Sequence, residues 1–231
     1  MEERVDFTND LARFTYHFLE NHFGESPASL EIFNKPPFTL IHLQGFLMPS
    51  EKLLLQKDKS TYVMETRDLL MQSLKADFIQ EFEKITNKKT VEFYADWNLE
   101  NESGMFLAVS DQEVLPADFE WPAGTEAESV HEIIKLNSQR TQKLPDQINY
   151  FWLADNLLVI ERQGILIDIE KQLIANGVME ELRLAKRPLE HRIIKLFNLQ
   201  PYLNGTIKEL YVDWDFKMDK GYMVLLMEKD N

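Results

Sequence analysis

Glutamate–lysine pairs at two predicted helix starts are the first residues of this chain with a capacity for chemistry. Glu51-Lys52 and Glu170-Lys171 each follow an apolar run. The positive end of a helix dipole stabilises a carboxylate at such a position. A pair of this kind can anchor a ligand or a partner, or it can start the helix and form an exposed ion pair. The structural role is the favoured interpretation of both pairs.

A run of basic residues at helical spacing is the sharpest charge feature of the chain. It contains Arg183, Lys186, Arg187, His191, Arg192 and Lys195. Residues three and four apart lie on one side of a helix, so much of this run forms a stripe. The stripe suits docking to an acidic partner or to anionic headgroups. The alternative is a solvated helix face that offsets acidic charge elsewhere, and this alternative is favoured.

No pattern typical of catalysis or of metal binding is present. The five histidines, His17, His22, His42, His131 and His191, form no His-x3-His or His-Glu-x-x-His pair. Glycine-rich nucleotide loops and a Gly-x-Ser-x-Gly elbow are missing too. The sequence therefore predicts no catalytic residue, no metal site and no cofactor, and it favours a protein that is not an enzyme.

Composition restricts the setting of the protein. The chain has 231 residues, no cysteine and a net charge of −14, of which residues 1–110 carry −7 and residues 111–128 carry −6. Such acidity disfavours nucleic acid as a partner. The lack of cysteine fits a reducing compartment. No signal peptide and no apolar run of membrane-spanning length is visible. We expect a cytoplasmic protein without membrane insertion, at most peripheral to the membrane.

Several residues around the two Glu-Lys pairs occur twice in the chain. Gly45 and Glu51 return 119 residues later as Gly164 and Glu170. Asp96-Trp97 returns 117 residues later as Asp213-Trp214. An aspartate at a strand end can accept hydrogen bonds from turn amides, and the tryptophan would cover the sheet end or an interface between the copies. We interpret Gly45, Asp96 and Trp97, with their counterparts Gly164, Asp213 and Trp214, as structural markers of a duplication.

The sequences of the two copies predict the same order of helices and strands. Apolar spacing predicts helices over 6–23 and 62–86, a short helix beginning near Pro49, and strands over 29–33, 38–46, 90–97 and 105–109. The second copy predicts helices from Ser129 and over 178–199, and strands over 147–153, 157–165, 207–216 and 221–227. Pro188 should kink or restart its helix. The fold class is α+β, a tandem repeat of an α-β-β-α-β-β unit, with an antiparallel sheet and helices on one face.

The repeat also predicts the domain organisation. The first copy covers 1–110, an acidic linker covers 111–127, and the second, diverged copy covers 128–231. Phe119 and Trp121 are too apolar for a pure spacer, so part of the linker should pack on a domain. Because a single-domain relative could bury a shared face as a homodimer, we expect a monomer whose two copies pack about a pseudo-two-fold axis.

The run from Thr8 to Val109 resembles the MpsC-like family, named after a component of a sodium-translocating, membrane-potential-generating system. The resemblance rests on residues 40–47, on Ser50-Glu51-Lys52-Leu53-Leu54, on Arg67 and on Asp96. The second copy keeps Gly164, Glu170-Lys171, Leu173, Arg183 and Asp213. Family members are typically single domains, so the chain resembles two fused copies. The resemblance implies association with a membrane complex that couples cation movement to membrane potential or to inorganic-carbon uptake.

The sequence thus favours an accessory or regulatory protein that acts through protein–protein contacts, with a membrane cation or bicarbonate transport complex as the expected partner. A small-ligand sensor that binds in the cleft between the two copies is the alternative. The candidate contact residues are Glu51, Lys52, Arg67, Glu170, Lys171, Arg183, Lys186, Arg187 and Arg192. Because only the second copy has a basic stripe, a partner should distinguish the two halves.

Overall fold

A computed structural model describes residues 7–203 and 205–228. The chain divides into two compact units between Val114 and Leu115. Each unit contains helices and one four-stranded antiparallel sheet, which confirms the predicted α+β tandem repeat. The pseudo-two-fold packing of the copies stays a prediction.

The first unit runs helix, hairpin, two helices, hairpin. Its helices are α1 (Thr8–Phe23), α2 (Pro49–Leu55) and α3 (Ser60–Thr86), and its strands are β1 (Ser29–Lys35), β2 (Phe38–Gln44), β3 (Thr90–Asn98) and β4 (Ser103–Ser110). The sheet order is β1-β2-β4-β3. Lys35 pairs with Phe38, so the first hairpin turns on Pro36–Pro37 alone. The sequence predicted that the first strand ends at residue 33, whereas β1 continues to Lys35.

The core of the first unit lies between the helices and one face of the sheet. Leu11 and Phe18 of α1 and Phe78 of α3 pack there against Ile41 of β2 and Phe106 of β4. The predicted start and end of α1 are confirmed within one or two residues, and Gly24 ends the helix in the left-handed conformation at φ 78°.

The second unit repeats this order with one addition. Its helices are α4 (Ala127–Thr141), α5 (Asp168–Ala175), α6 (Met179–Phe197) and α7 (Gln200–Leu203), and its strands are β5 (Gln147–Ala154), β6 (Leu157–Gln163), β7 (Thr206–Asp215) and β8 (Lys220–Glu228). The sheet order β5-β6-β8-β7 matches that of the first unit. Helix α6 continues through Pro188, so the proline does not restart it.

The segment between the repeats is tied to the second unit by aromatic contacts. A short 3-10 turn spans Pro116–Phe119. Phe119 is buried, and its ring lies 5.2 Å from that of Phe151 in β5. The Trp121 ring lies 5.7 Å from that of Trp152. The apolar residues of this acidic segment therefore belong to the packing of the second unit.

The repeated glycines and tryptophans have a steric explanation. Trp97 of β3 pairs with Gly104 of β4, and Trp214 of β7 pairs with Gly221 of β8. A Cβ atom at Gly104 would lie 2.7 Å from the Trp97 ring. A Cβ atom at Gly221 would lie 2.6 Å from the Trp214 ring. Each indole therefore occupies the space that a side chain on the opposite strand would need.

Gly45 and Gly164 follow directly after β2 and β6 and adopt the same backbone conformation. Both have positive φ, 69° and 64°. The Gly45 amide donates to the Glu102 carbonyl at 2.7 Å, and the Gly164 amide donates to the Asp219 carbonyl at 2.8 Å. This hydrogen bond ties the strand end to the turn of the second hairpin in each unit.

Substituting Gly164 with alanine should destabilise the second unit more than the same change at Gly177. Both glycines have left-handed backbone, so both variants carry a conformational cost of about 1–2 kcal/mol. Only at Gly164 does the new Cβ meet protein atoms, with Asp146 Cβ at 2.8 Å, whereas nothing lies within 4 Å at Gly177. We expect an extra loss of about 1–3 kcal/mol for Gly164→Ala, measured by urea denaturation. Equal losses for the two variants would contradict the packing argument.

Candidate functional site

The glutamate at the start of α2 turns inward. Pro49 begins the helix, and Glu51 Oε2 accepts a hydrogen bond at 2.9 Å from the backbone amide of Met48, just before the helix. The same oxygen accepts a second hydrogen bond at 2.7 Å from Nη2 of Arg67, which lies two turns into α3. Glu51 is buried. One carboxylate therefore holds a helix start and joins α2 to α3.

Arg67 is enclosed by aromatic rings and is only 1% exposed. Its guanidinium carbon lies 4.1 Å from the ring centre of Phe46, 5.0 Å from that of Trp97 and 5.4 Å from that of Phe23. Its Nη2 also donates to the Phe46 carbonyl at 3.2 Å. Burial lowers the pKa of Arg67, and the hydrogen bond and charge of Glu51 oppose that effect. Rings and carboxylate together replace the water that this cation loses.

Two nitrogens of Arg67 remain without an acceptor. Within the described residues, Nε and Nη1 are buried and form no hydrogen bond. A planar guanidinium with five donors is normally satisfied more completely than this. The π faces of the surrounding rings are close to it, so electrostatic attraction to the rings takes the place of conventional acceptors.

The second unit builds the same arrangement with a different cation. Glu170 Oε2 accepts from the Ile167 amide at 3.0 Å, and Glu170 Oε1 accepts from Lys186 Nζ at 2.6 Å. Lys186 lies 119 residues after Arg67 and is buried against the Trp214 ring, 5.5 Å from its centre. Burial lowers the pKa of Lys186, and Glu170 opposes the shift. The structural counterpart of Arg67 is therefore Lys186.

Arg183, which the sequence matched to the first copy, has a different position. It lies one turn before Lys186 on α6, forms an ion pair with Asp213, and donates to the Trp214 carbonyl at 3.2 Å. Its guanidinium carbon is 5.2 Å from the centre of the Phe216 ring. Arg183 therefore ties α6 to the end of β7. Arg183 was matched to Arg67 because both residues are arginines. This match was misleading, because the position on the helix decides which carboxylate a cation reaches.

The lysines that follow the two glutamates point away from them. Lys52 Nζ lies 2.9 Å from Glu102, and Lys171 Nζ lies 3.6 Å from Asp219, both in hairpin turns. About half of each lysine side chain is exposed, so these pairs contribute little stability. Each Glu-Lys pair thus divides into a buried carboxylate that anchors two helices and a solvated lysine beside a turn.

The aspartates beside the repeated tryptophans bind backbone. Asp96 Oδ1 accepts from the Trp97 amide at 2.9 Å, and Asp213 Oδ1 accepts from the Trp214 amide at 2.7 Å. Both carboxylates are buried. The six structural markers that the sequence identified therefore all lie at strand ends or at the Gly–Trp contacts.

A buried polar network in the second unit replaces part of the apolar core of the first. Arg162 Nη2 donates to Glu190 Oε2 at 2.6 Å, and both side chains are fully buried. Arg162 Nη1 donates to Ser138 at 3.3 Å, and Gln142 donates to Glu190 at 3.2 Å. The positions 119 residues earlier hold Leu43, Met71, Leu19 and Phe23, all in the first core.

Sequence reasoning missed this network, although a signal for it exists. Arg162 alternates along β6 with the core residues Leu158 and Ile160, and Glu190 lies between Lys186 and Ile194 on the buried side of α6. A charged residue at a core register position in a strand, together with an opposite charge on an inward helix face, predicts a buried ion pair.

The six residues of the basic stripe do not share one environment. Lys186 and Arg187 are buried, and Arg183 is paired with Asp213. His191 is mostly buried, and its burial, together with the positive charges of Arg187 and Lys195, lowers its pKa to about 4. Arg192 and Lys195 are exposed. Among these six residues, the cations that α6 presents to solvent are thus confined to its C-terminal half.

Two further features of the structure bear on function. Across residues 7–203 and 205–228, no group of three or more His, Cys, Asp or Glu side chains is arranged to hold a metal ion. In the same part of the chain, no helix has the length and apolar character needed to cross a membrane.

Comparison with protein families gives a match for the first unit. Residues 4–112 match the family described as the Na⁺-translocating membrane potential-generating system, MpsC, and this match covers a little under half of the chain. The resemblance seen around Glu51 and Arg67 is thereby supported for the first copy. No curated protein and no solved structure matches the chain.

Removing the charge of Glu51 should destabilise the first unit far more than removing that of its neighbour Lys52. Glu51→Gln leaves the guanidinium of Arg67 buried without a counterion, which costs about 3–5 kcal/mol. Lys52→Gln removes an exposed pair and should cost less than about 1 kcal/mol. Urea denaturation followed by circular dichroism measures both. Similar losses for the two variants would show that Arg67 does not depend on Glu51.

Arg162 and Glu190 should show strong coupling when they are exchanged for the first-unit residues. Arg162→Leu and Glu190→Met each leave one buried charge and should each cost about 3–5 kcal/mol. The double variant, which carries the Leu43 and Met71 combination of the first unit, should lose less than the sum by about 1–3 kcal/mol. The double-mutant cycle in urea measures this coupling, and additive losses would contradict it.

Proposed function

We propose that the protein is a non-enzymatic, cytoplasmic accessory or regulatory component of a membrane cation or bicarbonate transport system, and that it acts through protein–protein contacts. The match of residues 4–112 to a sodium-translocating, potential-generating system is the observation that carries this proposal. The second unit is proposed to be a diverged copy of the same domain, on the basis of its identical strand order and its recurring Gly, Glu and Trp contacts.

The placement of charge in the two units favours contact over chemistry. Glu51, Glu170 and Glu190 each face a cation, and each also accepts a hydrogen bond from a backbone or side-chain amide. Carboxylates engaged in this way hold helices together. Groups that interact with a partner must therefore be sought among the exposed residues.

The first unit exposes an apolar surface whose counterpart in the second unit is largely polar. Leu53 of α2 and Tyr62 of α3 are 62% and 59% exposed, and Leu54 is 40% exposed. The residues 119 positions later are Gln172, Glu181 and Leu173, of which Gln172 and Glu181 are polar. Leu53 and Leu54 are neighbours on α2 and Tyr62 lies in the first turn of α3. Exposed apolar and tyrosine side chains of this kind are typical of protein interfaces. Lys59 Nζ lies 5.5 Å from the centre of the Tyr62 ring, so this surface suits a partner segment with apolar and acidic residues.

A membrane recovery experiment tests the proposal. The tagged full chain is incubated with detergent-solubilised membranes of the native organism, and the recovered transport subunits are quantified by mass spectrometry. In the variant Leu53→Gln/Tyr62→Glu each new residue is the one that the second unit has at that position. Losing two anchors worth about 1–2 kcal/mol each should reduce recovery by more than about tenfold.

Ile169→Gln provides the matched control, because Ile169 is 62% exposed on α5 of the second unit. This variant should recover the same subunits as the unmodified chain. Recovery of no transport subunit by the unmodified chain would overturn the proposed function. Equal recovery by the Leu53→Gln/Tyr62→Glu variant would place the contact surface elsewhere.

A further inference from the structure

The exposed side of α6 contains a pocket of about 480 Å³. It is lined by Pro188, His191, Arg192, Lys195 and Leu196. These residues follow a spacing of three, four, seven and eight from Pro188, so they lie along one side of the helix. The pocket is shallow and open to solvent, so a small group can enter it directly from water.

The polar groups of this pocket are all suited to an anion. Arg192 and Lys195 are exposed, and neither has an ion-pair partner among the residues that the structure describes. His191 Nε2 is buried and has no hydrogen-bond partner there. The imidazole is uncharged near neutral pH, since burial and the neighbouring cations Arg187 and Lys195 lower the pKa of His191 to about 4. The ring therefore lines the pocket without adding charge to it.

This combination belongs to the second unit alone. The positions 119 residues before the pocket residues hold Leu69, Gln72, Ser73, Ala76 and Asp77. That set contains no cation and one carboxylate, so the corresponding side of α3 offers nothing that would attract an anion. In a chain with a net charge of −14, this pocket brings two exposed cations together on one side of α6.

Two other cations on α6 already have ion-pair partners, so the pocket residues are distinct from those that hold the helix in the fold. Lys186 is bound to Glu170, and Arg183 is bound to Asp213. Arg192 and Lys195 lie on the solvent side of the same helix, whereas Lys186 and Glu190 lie on the buried side. Neither pocket cation is therefore required for the contacts that hold α6 in place.

We propose that this pocket binds a phosphate group, carried by a small molecule or by a lipid headgroup. The guanidinium of Arg192 offers a planar pair of donors that matches phosphate oxygens. The ammonium of Lys195 offers a point charge with three donors. Pro188 and Leu196 provide apolar contact for the part of the ligand that carries the phosphate. This site is independent of the contact surface on α2 and α3.

The first test uses inorganic phosphate as the probe. Isotope-labelled full-length protein is titrated with phosphate and, separately, with chloride at equal ionic strength, and amide shifts are followed by NMR. We expect saturable shifts for residues 189–196 with phosphate alone. The double variant Arg192→Gln/Lys195→Gln should bind about tenfold or more weakly, which corresponds to the loss of one charge-assisted contact.

Two further variants test whether the loss of binding is specific to Arg192 and Lys195. Arg140→Gln/Lys217→Gln is the matched control, because it removes one arginine and one lysine that are exposed in the same unit but lie outside α6. It changes the net charge by the same amount and should leave phosphate binding unchanged. Arg192→Lys keeps the charge but not the planar donor pair, so it should retain part of the affinity. Unchanged binding by Arg192→Gln/Lys195→Gln, an equal loss in the control, or shifts in chloride as large as in phosphate would overturn the proposal.

Vesicles distinguish the two sources of phosphate. Sedimentation with vesicles of phosphatidylcholine and phosphatidylglycerol, with and without free phosphate, shows whether a headgroup enters the pocket. Vesicle binding that free phosphate competes away, and that Arg192→Gln/Lys195→Gln removes, identifies a headgroup. Phosphate shifts without vesicle binding identify a free phosphorylated molecule. The absence of both would refute phosphate binding at this pocket.

Discussion

A buried carboxylate at the start of the short second helix is the interaction on which each repeat depends. Glu51 and Glu170 each accept one hydrogen bond from a backbone amide and one from a buried cation of the long helix that follows. The carboxylate has to face both donors at once, and the cation has to stay close to it because an isolated buried charge is costly. Strand end, short helix and long helix therefore have to keep one geometry relative to each other, and the Gly–Trp contacts beside them complete that corner of the unit.

The two units meet this constraint with different chemistry. The first uses an arginine stacked among Phe23, Phe46 and Trp97, while the second uses Lys186 against Trp214. The second unit also holds Arg162 and Glu190 where the first has leucine and methionine. An apolar core tolerates small shifts between helices more readily than a hydrogen-bonded ion pair, which demands defined distances. The two units are thus an aromatic and a polar version of the same fold.

Exposed surfaces, in turn, carry the differences that matter for recognition. The first unit presents apolar side chains on α2 and α3, and the second presents two cations beside a pocket on α6. Neither group takes part in the buried carboxylate arrangement, so either surface can change without loss of the fold. This separation fits the proposed accessory role, in which the first unit contacts a protein partner and the second binds an anionic ligand.

The sequence by itself determined the duplication, the α+β class and most element boundaries, because glycine, tryptophan and apolar spacing act locally and recur at a nearly constant offset. It also placed Glu51 and Glu170 at helix starts. Only the tertiary structure decided that Lys186 rather than Arg183 is the partner of Glu170, that Lys186 and Arg187 are buried, and that Arg162 meets Glu190. Residue type and periodicity assign a side chain to a face of its helix. A pattern can show that Arg162 and Glu190 each face inward, but which charge a side chain meets depends on the packing of distant elements.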